Sequence, residues 1–382
     1  MGRCFWFVGI QKNKLSAFIN LSGATTGYSL EDYMKPMEVK LSDTTLYVSY
    51  SEPIEYNGQT YTINSPEAQN QKIDWINIPS FTAKAGAAYN INDGNSVFVN
   101  VGYISKAQRF NNVINSNRFG TQILEFNDYE NEKIMAFEIG YSYRSSVFSA
   151  NINAYYTKWG NKPLDRPPAV LIPPEDGGEP DPDGDRITVN IPGIDALHQG
   201  IELDFALKPT KQITLQGLVS IADWIWDSAG KGSIPITDWF NYEYDFDAKG
   251  VHVGDAAQLQ FGGSLRYEPI KNFYIMGKAT HFARNFANFN PEDLNGDNAR
   301  RESWQMPDYT DFSFHTGYFF KIKDIGLSVR ANVLNLFDAT FLTDARNNDD
   351  FNSPSFQDFD AKSASVHYAQ GRRWSLSFQI NF

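Results

Sequence analysis

Side chains from Arg373 to Phe382 alternate without a slip. Trp374, Leu376, Phe378, Ile380 and Phe382 are apolar; Arg373, Ser375, Ser377, Gln379 and Asn381 are polar. Successive side chains of a strand point to opposite faces, so this segment predicts a strand with one oily and one wet face. The same period of two recurs in pairs along the chain. Leu15 to Ser22 follows a strand-like stretch at about 3–10. Phe81 to Tyr89 is joined to Val99 to Tyr103 through Asn92-Asp93-Gly94-Asn95, and Met135 to Tyr143 to Phe148 to Tyr156 through Arg144-Ser145-Ser146. Ile201 to Leu207 precedes Ile213 to Val219, Leu259 to Tyr267 precedes Phe273 to Gly277, and Phe312 to Tyr318 precedes Ile325 to Val333. Asp-Gly marks a tight turn because glycine tolerates positive φ. About thirteen strands are predicted.

The connections are asymmetric. Turns at one end are about two to five residues, while loops at the other run from about 20 to nearly 50, as in bacterial outer-membrane barrels. Glu138, Glu202, Asp204, Arg266, Lys278 and Arg330 fall on the face opposite the apolar set. The expected fold is all-β: an antiparallel transmembrane β-barrel in which the polar face lines a lumen. An odd count cannot close an antiparallel barrel without a parallel seam, so residues 1–382 are expected to be the C-terminal part of a larger one. Met1 to Ile10 reads as a strand and not as a signal peptide, since its apolar run is short and no small-residue cleavage site follows. An exported barrel beginning this way is expected to be incomplete at its N-terminus or to have an internal start codon.

Composition narrows the classes. Mean hydropathy is -0.42, and no apolar run reaches the roughly 18 residues of a spanning helix. Aromatics make up 15% of the chain, which suits strands and interfacial girdles. A net charge of -12 without a basic stripe argues against nucleic-acid binding. The single cysteine, Cys4, excludes an intrachain disulfide and a Cys-based zinc site.

Two segments near the C-terminus carry a family resemblance. Asn332-Val-Leu-Asn335-Leu336-Phe337-Asp338-Ala-Thr-Phe341 resembles the N-L-F-D-x-x-Y motif on the penultimate strand of TonB-dependent outer-membrane receptors, with Phe341 in place of Tyr. Gly371-Arg372-Arg373-Trp374, running to Phe382, is similar to the closing P-G-R…F segment, with Gln370 in place of Pro. The resemblance implies a barrel of about 22 strands, of which about 13 are present. It implies residence in the outer membrane of a Gram-negative bacterium, contact with lipid and the barrel-assembly machinery, and contact with TonB only through an N-terminal plug that this chain lacks. The aromatic, Asn-rich style resembles receptors from the Bacteroidetes group. Independently of the family, Asn335 and Asp338 are suited to bonding local backbone groups where the strand ends, a structural role.

No catalytic constellation is present. His198, His252, His281, His315 and His367 show no metal-ligand spacing, and G-x-S-x-G and phosphate-loop motifs are missing. The chain is expected not to be an enzyme and to need no cofactor. Asp181, Asp183 and Asp185 in one loop, and Asp293, Asn295 and Asp297 in another, alternate oxygens as calcium ligands do; solvated loop acid is the competing reading. Loop aromatics Trp224, Trp226, Trp239, Tyr242 and Trp304 suit stacking on a ligand, or packing and the lipid girdle. Arg300 and Arg301 suit an anionic ferric chelate, or ion pairs with neighbouring acids. The favoured function is TonB-energised uptake of a ferric siderophore, a corrinoid or an oligosaccharide. The alternatives are a smaller passive pore and a soluble all-β binding module.

Overall fold

The computed structural model describes residues 3–12, 15–28, 37–48, 53–70, 76–109, 114–115, 125–126, 130–162, 169–182, 186–189, 191, 193–236, 239–347 and 359–381. Thirteen long strands form one antiparallel sheet in chain order. They are β1 (Arg3–Lys12), β2 (Leu15–Tyr28), β3 (Ile76–Asn92), β4 (Asn95–Lys106), β5 (Glu132–Arg144), β6 (Phe148–Gly160) and β7 (Ala196–Leu207). Then follow β8 (Ile213–Trp226), β9 (Ala257–Ile270), β10 (Phe273–Phe286), β11 (Tyr309–Ile322), β12 (Ile325–Leu334) and β13 (Arg373–Asn381). Among the described residues β1 pairs only with β2 and β13 only with β12, so the sheet is open.

Every strand expected from alternation is present, and most are longer. β3 starts five residues before Phe81, and β8 continues from Val219 to Trp226. Some of the added residues, such as Ile76 to Ser80 and Ser220 to Trp226, lie at the long-loop end. There both faces meet polar surroundings or loop side chains, so the two-residue period fades while the ladder continues. The long loops also contain short paired strands that alternation did not predict, including Ala229–Pro235 with Asn241–Asp247. The first long loop has its own small core of Val39, Val48 and Tyr61.

Large apolar side chains cover one face and remain exposed: Ile139, Ile201, Leu265, Leu376, and Trp374 and Phe378 at 79% and 70%. Near the short turns this face carries aromatic rows. Phe148 lies 6.0 Å from Tyr143 and 6.4 Å from Phe205, and Tyr318 lies 6.3 Å from Phe273 and 5.4 Å from Phe320. Rows of aromatic rings along one end of an apolar face match the girdle pattern of membrane-spanning β-barrels.

Glycines on the opposite, polar face hold aromatic rings from neighbouring strands. A Cβ at Gly140 would come within 2.3 Å of the Phe98 ring, and one at Gly86 within 2.6 Å of Phe18. Both pairs sit directly opposite in register. Gly94 fills its turn for a related reason. Its φ is not positive, contrary to the expectation; an added Cβ would meet the Arg144 carbonyl oxygen at 2.6 Å.

The Asn335–Asp338 segment ties β12 to β13. Asn335 is buried, with φ of 47°. Its Oδ1 accepts the Ala339 N–H at 2.9 Å, and its Nδ2 donates to the carbonyls of Ala339 at 2.8 Å and Gln370 at 3.3 Å. Asp338 Oδ1 accepts the Arg372 N–H at 2.7 Å. Gly371 passes so close that a Cβ there would lie 3.0 Å from the same oxygen. Leu336 extends the ladder by donating its N–H to Phe312 O, and Phe337 rests edge-on against the Phe312 ring at 5.0 Å. Phe341 stacks on Tyr309 at 4.3 Å, a contact that needs the ring and not a hydroxyl. Trp374 opens β13 on the apolar face; Phe382 lies outside the described residues.

Gly140→Val should lower the unfolding free energy of the purified protein in detergent by about 1–3 kcal/mol, through overpacking against Phe98. Gly277→Ala, with nothing within 4 Å of the added carbon, should leave the denaturant midpoint nearly unchanged. Asn335→Ala removes the three hydrogen bonds of this buried side chain and places alanine at positive φ. It should cost on the order of 2–4 kcal/mol in the same measurement, with Asp338→Ala costing less.

Candidate functional site

The polar face is wired by amides and carboxylates. Asn100 Nδ2 on β4 donates to Glu138 on β5 at 3.1 Å. Asn153 on β6 donates to Glu138 at 3.1 Å and to Glu202 on β7 at 3.3 Å. Asn151 donates to Asp204 at 2.9 Å. Cross-strand register dictates these pairs: Glu138 stands opposite Asn100, Glu202 opposite Asn153 and Asp204 opposite Asn151. Among the described residues no ammonium or guanidinium lies within ion-pair distance of Glu138, Glu202 or Asp204.

A cavity of about 480 Å³ opens on this face. Glu202, Asp204 and Ser220 form its middle, and Trp224, Asp255 and Asn285 its loop-end rim. Phe282 and Tyr309, stacked at 4.8 Å, wall one side. Trp224 is held in place: its Nε1 donates to Tyr155 Oη at 2.9 Å, and its ring lies 5.3 Å from His198.

Above the rim the loops pack into a hydrophobic core of Ile194, Trp226, Phe246, Val251, Phe289, Leu294 and Phe359. Polar ties brace it. Arg300 Nε meets Asp247 at 2.7 Å, and His252 stacks on Phe286 while its Nδ1 meets Glu302 at 2.6 Å. Lys158 Nζ lies 3.1 Å from Asp227, and its hydrogen bond holds that carboxyl below the usual carboxylate range. This tie is complete at neutral pH and fades as the pH falls through the lowered value.

The structure divides the residues singled out in the sequence. Trp224 lines the cavity, whereas Trp226, 3% exposed, belongs to the loop core, which Tyr242 packs against. Trp304 packs beside Met306 and Ala345. Trp239 is exposed and donates to Pro173 O at 3.1 Å. Arg300 pairs with Asp247, and Arg301 donates to Asn298 at 3.1 Å with its guanidinium 5.8 Å from the Phe359 ring. Asp181 is exposed on its loop, and Asp183 and Asp185 lie outside the described residues. Asp293 and Asp297 sit on two 3-10 turns, Pro291–Asp293 and Gly296–Asn298, with Asn295 between them. The described residues contain no group of three or more His, Cys, Asp or Glu able to hold a metal ion. Sequence reasoning missed Asn285 and Asp255. Both lie past or before the alternating part of a strand, and only the fold brings them beside Glu202.

No curated protein matches this sequence. Solved structures share its fold at low identity. The ferric-catecholate import receptor Fiu of E. coli K12, closed form, aligns over 99% of this chain and 44% of its own, with TM-score 0.56 and 12% identity. The copper transporter OprC aligns over 97% and 46%, with TM-score 0.57 and 13% identity. The unliganded ferric citrate transporter FecA aligns over 99% and 54%, with TM-score 0.56 and 11% identity. The chain thus spans about half the length of these proteins. Residues 16–336 match the TonB dependent receptor-like β-barrel family, and the chain belongs to that family.

Proposed function

We propose that this chain forms lumen wall and external loops of an outer-membrane receptor that imports a large, scarce nutrient with energy delivered by TonB. The carrying observation is the two-faced sheet of a family member, with a bare apolar exterior, an amide–carboxylate interior and a packed loop roof at one end only. An exterior bearing Trp374, Phe378 and Ile380 in the open disfavours the soluble binding module, because such a strand in water would aggregate. The roof disfavours a simple open pore. TonB would act through a plug outside these residues, and the membrane would be the outer membrane of a Gram-negative cell. A ferric siderophore, a corrinoid and an oligosaccharide are the cargo classes considered; Fiu and FecA, which share the fold, are named for ferric chelates.

Deleting the gene should reduce uptake of one labelled compound from these classes to background, and a protonophore should do the same to wild-type cells. Uptake that survives the protonophore would identify a passive pore instead.

A further inference from the structure

Charge is distributed unevenly along the strand axis. The chain carries 45 acidic and 33 basic residues, yet the short-turn end reverses the balance. At the five described short turns and the strand ends beside them stand six exposed cations: Arg144, Lys208, Lys211, Lys271, Lys321 and Lys323. Three acids accompany them, Asp93, Glu268 and Asp324, and Glu268 is already held by Arg266 Nε at 2.8 Å. Among the described residues none of the six cations has an ion-pair partner.

The turns are stitched into a continuous rim. The Arg144 N–H donates to Gly94 O at 2.7 Å, Lys208 N–H to Val147 O at 2.7 Å, Glu268 N–H to Gln212 O at 2.8 Å and Phe319 N–H to Asn272 O at 3.0 Å. Arg144 follows Tyr143, Lys321 follows Phe320, and Lys271 precedes Phe273 by two residues. The charges thus begin about 3–7 Å beyond the aromatic rows, measured along the strands. Such rows mark the headgroup level of a membrane-spanning barrel.

An independent observation comes from the apolar face. A groove of about 520 Å³ crosses it from β3 to β7. Ala87, Val99, Ile139, Ala154 and Ile201 form one row in register along it, and the short side chains of Ala87 and Ala154 leave its floor low. Tyr89 and Tyr141 stand in the next row toward the short turns. Arg144 lies three residues beyond Tyr141, about 10 Å along the strand. An apolar groove leading to unpaired cations has the two-part chemistry of an anionic lipid, a chain and a phosphate. A second copy of this chain would bring an equally basic rim to the same height, and a zwitterionic headgroup would leave the cations uncompensated.

We propose that this face holds an anionic phospholipid of the leaflet at the short-turn end, with one acyl chain in the groove and the phosphate held by Arg144, Lys208 and Lys211. Short turns of bacterial barrels are periplasmic, so that leaflet would be the inner one. The proposal shares with the import reading only its placement in a membrane.

The test is native mass spectrometry of the complete receptor in detergent, titrated with dioleoylphosphatidylglycerol and with dioleoylphosphatidylcholine, which differ in net charge and not in their chains. The anionic lipid should bind at least about fivefold more tightly. Arg144→Gln/Lys208→Gln/Lys211→Gln should bring the two affinities together. Lys40→Gln/Lys231→Gln/Lys362→Gln removes the same charge from the long loops and should keep the preference. Ala154→Phe, which fills the groove, should weaken the anionic lipid by at least about threefold. Glycerol phosphate, a headgroup without chains, should not compete. Equal affinity of the wild-type protein for the two lipids, a preference that survives the rim variant, or an equal loss in the loop control would overturn the proposal. So would unchanged binding in Ala154→Phe, competition by glycerol phosphate, which assigns the cations to a soluble anion, or a lipid-free dimer abolished by Ala154→Phe, which assigns the groove to a second copy. Binding in detergent is read without transport, so its failure leaves the import reading intact.

Discussion

A backbone amide in hydrocarbon has no partner except another backbone group. That constraint governs this molecule more than any side-chain contact. It requires each strand to lie against a neighbour along its whole apolar length, which the twelve consecutive antiparallel ladders from β1 to β13 achieve. Once the ladder is fixed, side chains are free to differ on the two faces. The outer face needs only to be apolar, and it tolerates Ile, Leu, Phe and Tyr interchangeably. The inner face is set by register, because a carboxylate there is matched or unmatched according to what stands one strand away. Glu138 between Asn100 and Asn153 is the clearest case.

Burial is consequently inverted relative to a soluble sheet protein. Strand side chains on the apolar face are exposed, and the fully buried residues collect where the loops meet, in Ile194, Leu294, Ala248 and their neighbours. The loop region has the packing of a small globular core raised on a sheet. Its ties to the strand ends, through Lys158 with Asp227 and through Trp226 and Val251, hold the roof at a fixed height above the polar cavity.

How much of this was legible in the sequence depended on which solvent a residue meets. Within the apolar belt the period of two is enforced, so β13, β5 and β6 could be placed to within a few residues. Beyond the belt it is not, so the upper parts of β3, β8 and β10 were invisible, as were the loop hairpins. The Asn335–Asp338 motif was read from the sequence as bonding backbone groups where the strand ends, but its reach was not legible. Asn335 bonds Ala339 locally but also reaches the Gln370 carbonyl, and Asp338 accepts the Arg372 amide, partners that only the fold brings near. Trp224 and Trp226 are two residues apart on one strand, and no local signal separates them. One lines the cavity and the other is sealed in the loop core, because only Trp226 reaches the height at which the roof packs.

The clasp between Asp338 and Arg372 has a bearing on how such a protein can change over time. It fixes the two feet of the last long loop to each other before the loop begins. The cost of closing a loop grows only slowly with length once its ends are held. Insertions, deletions or wholesale exchange between the feet should therefore leave the terminal ladder undisturbed. A loop exchanged above the clasp would meet the same two anchored feet, and the wall beneath would need no compensating change.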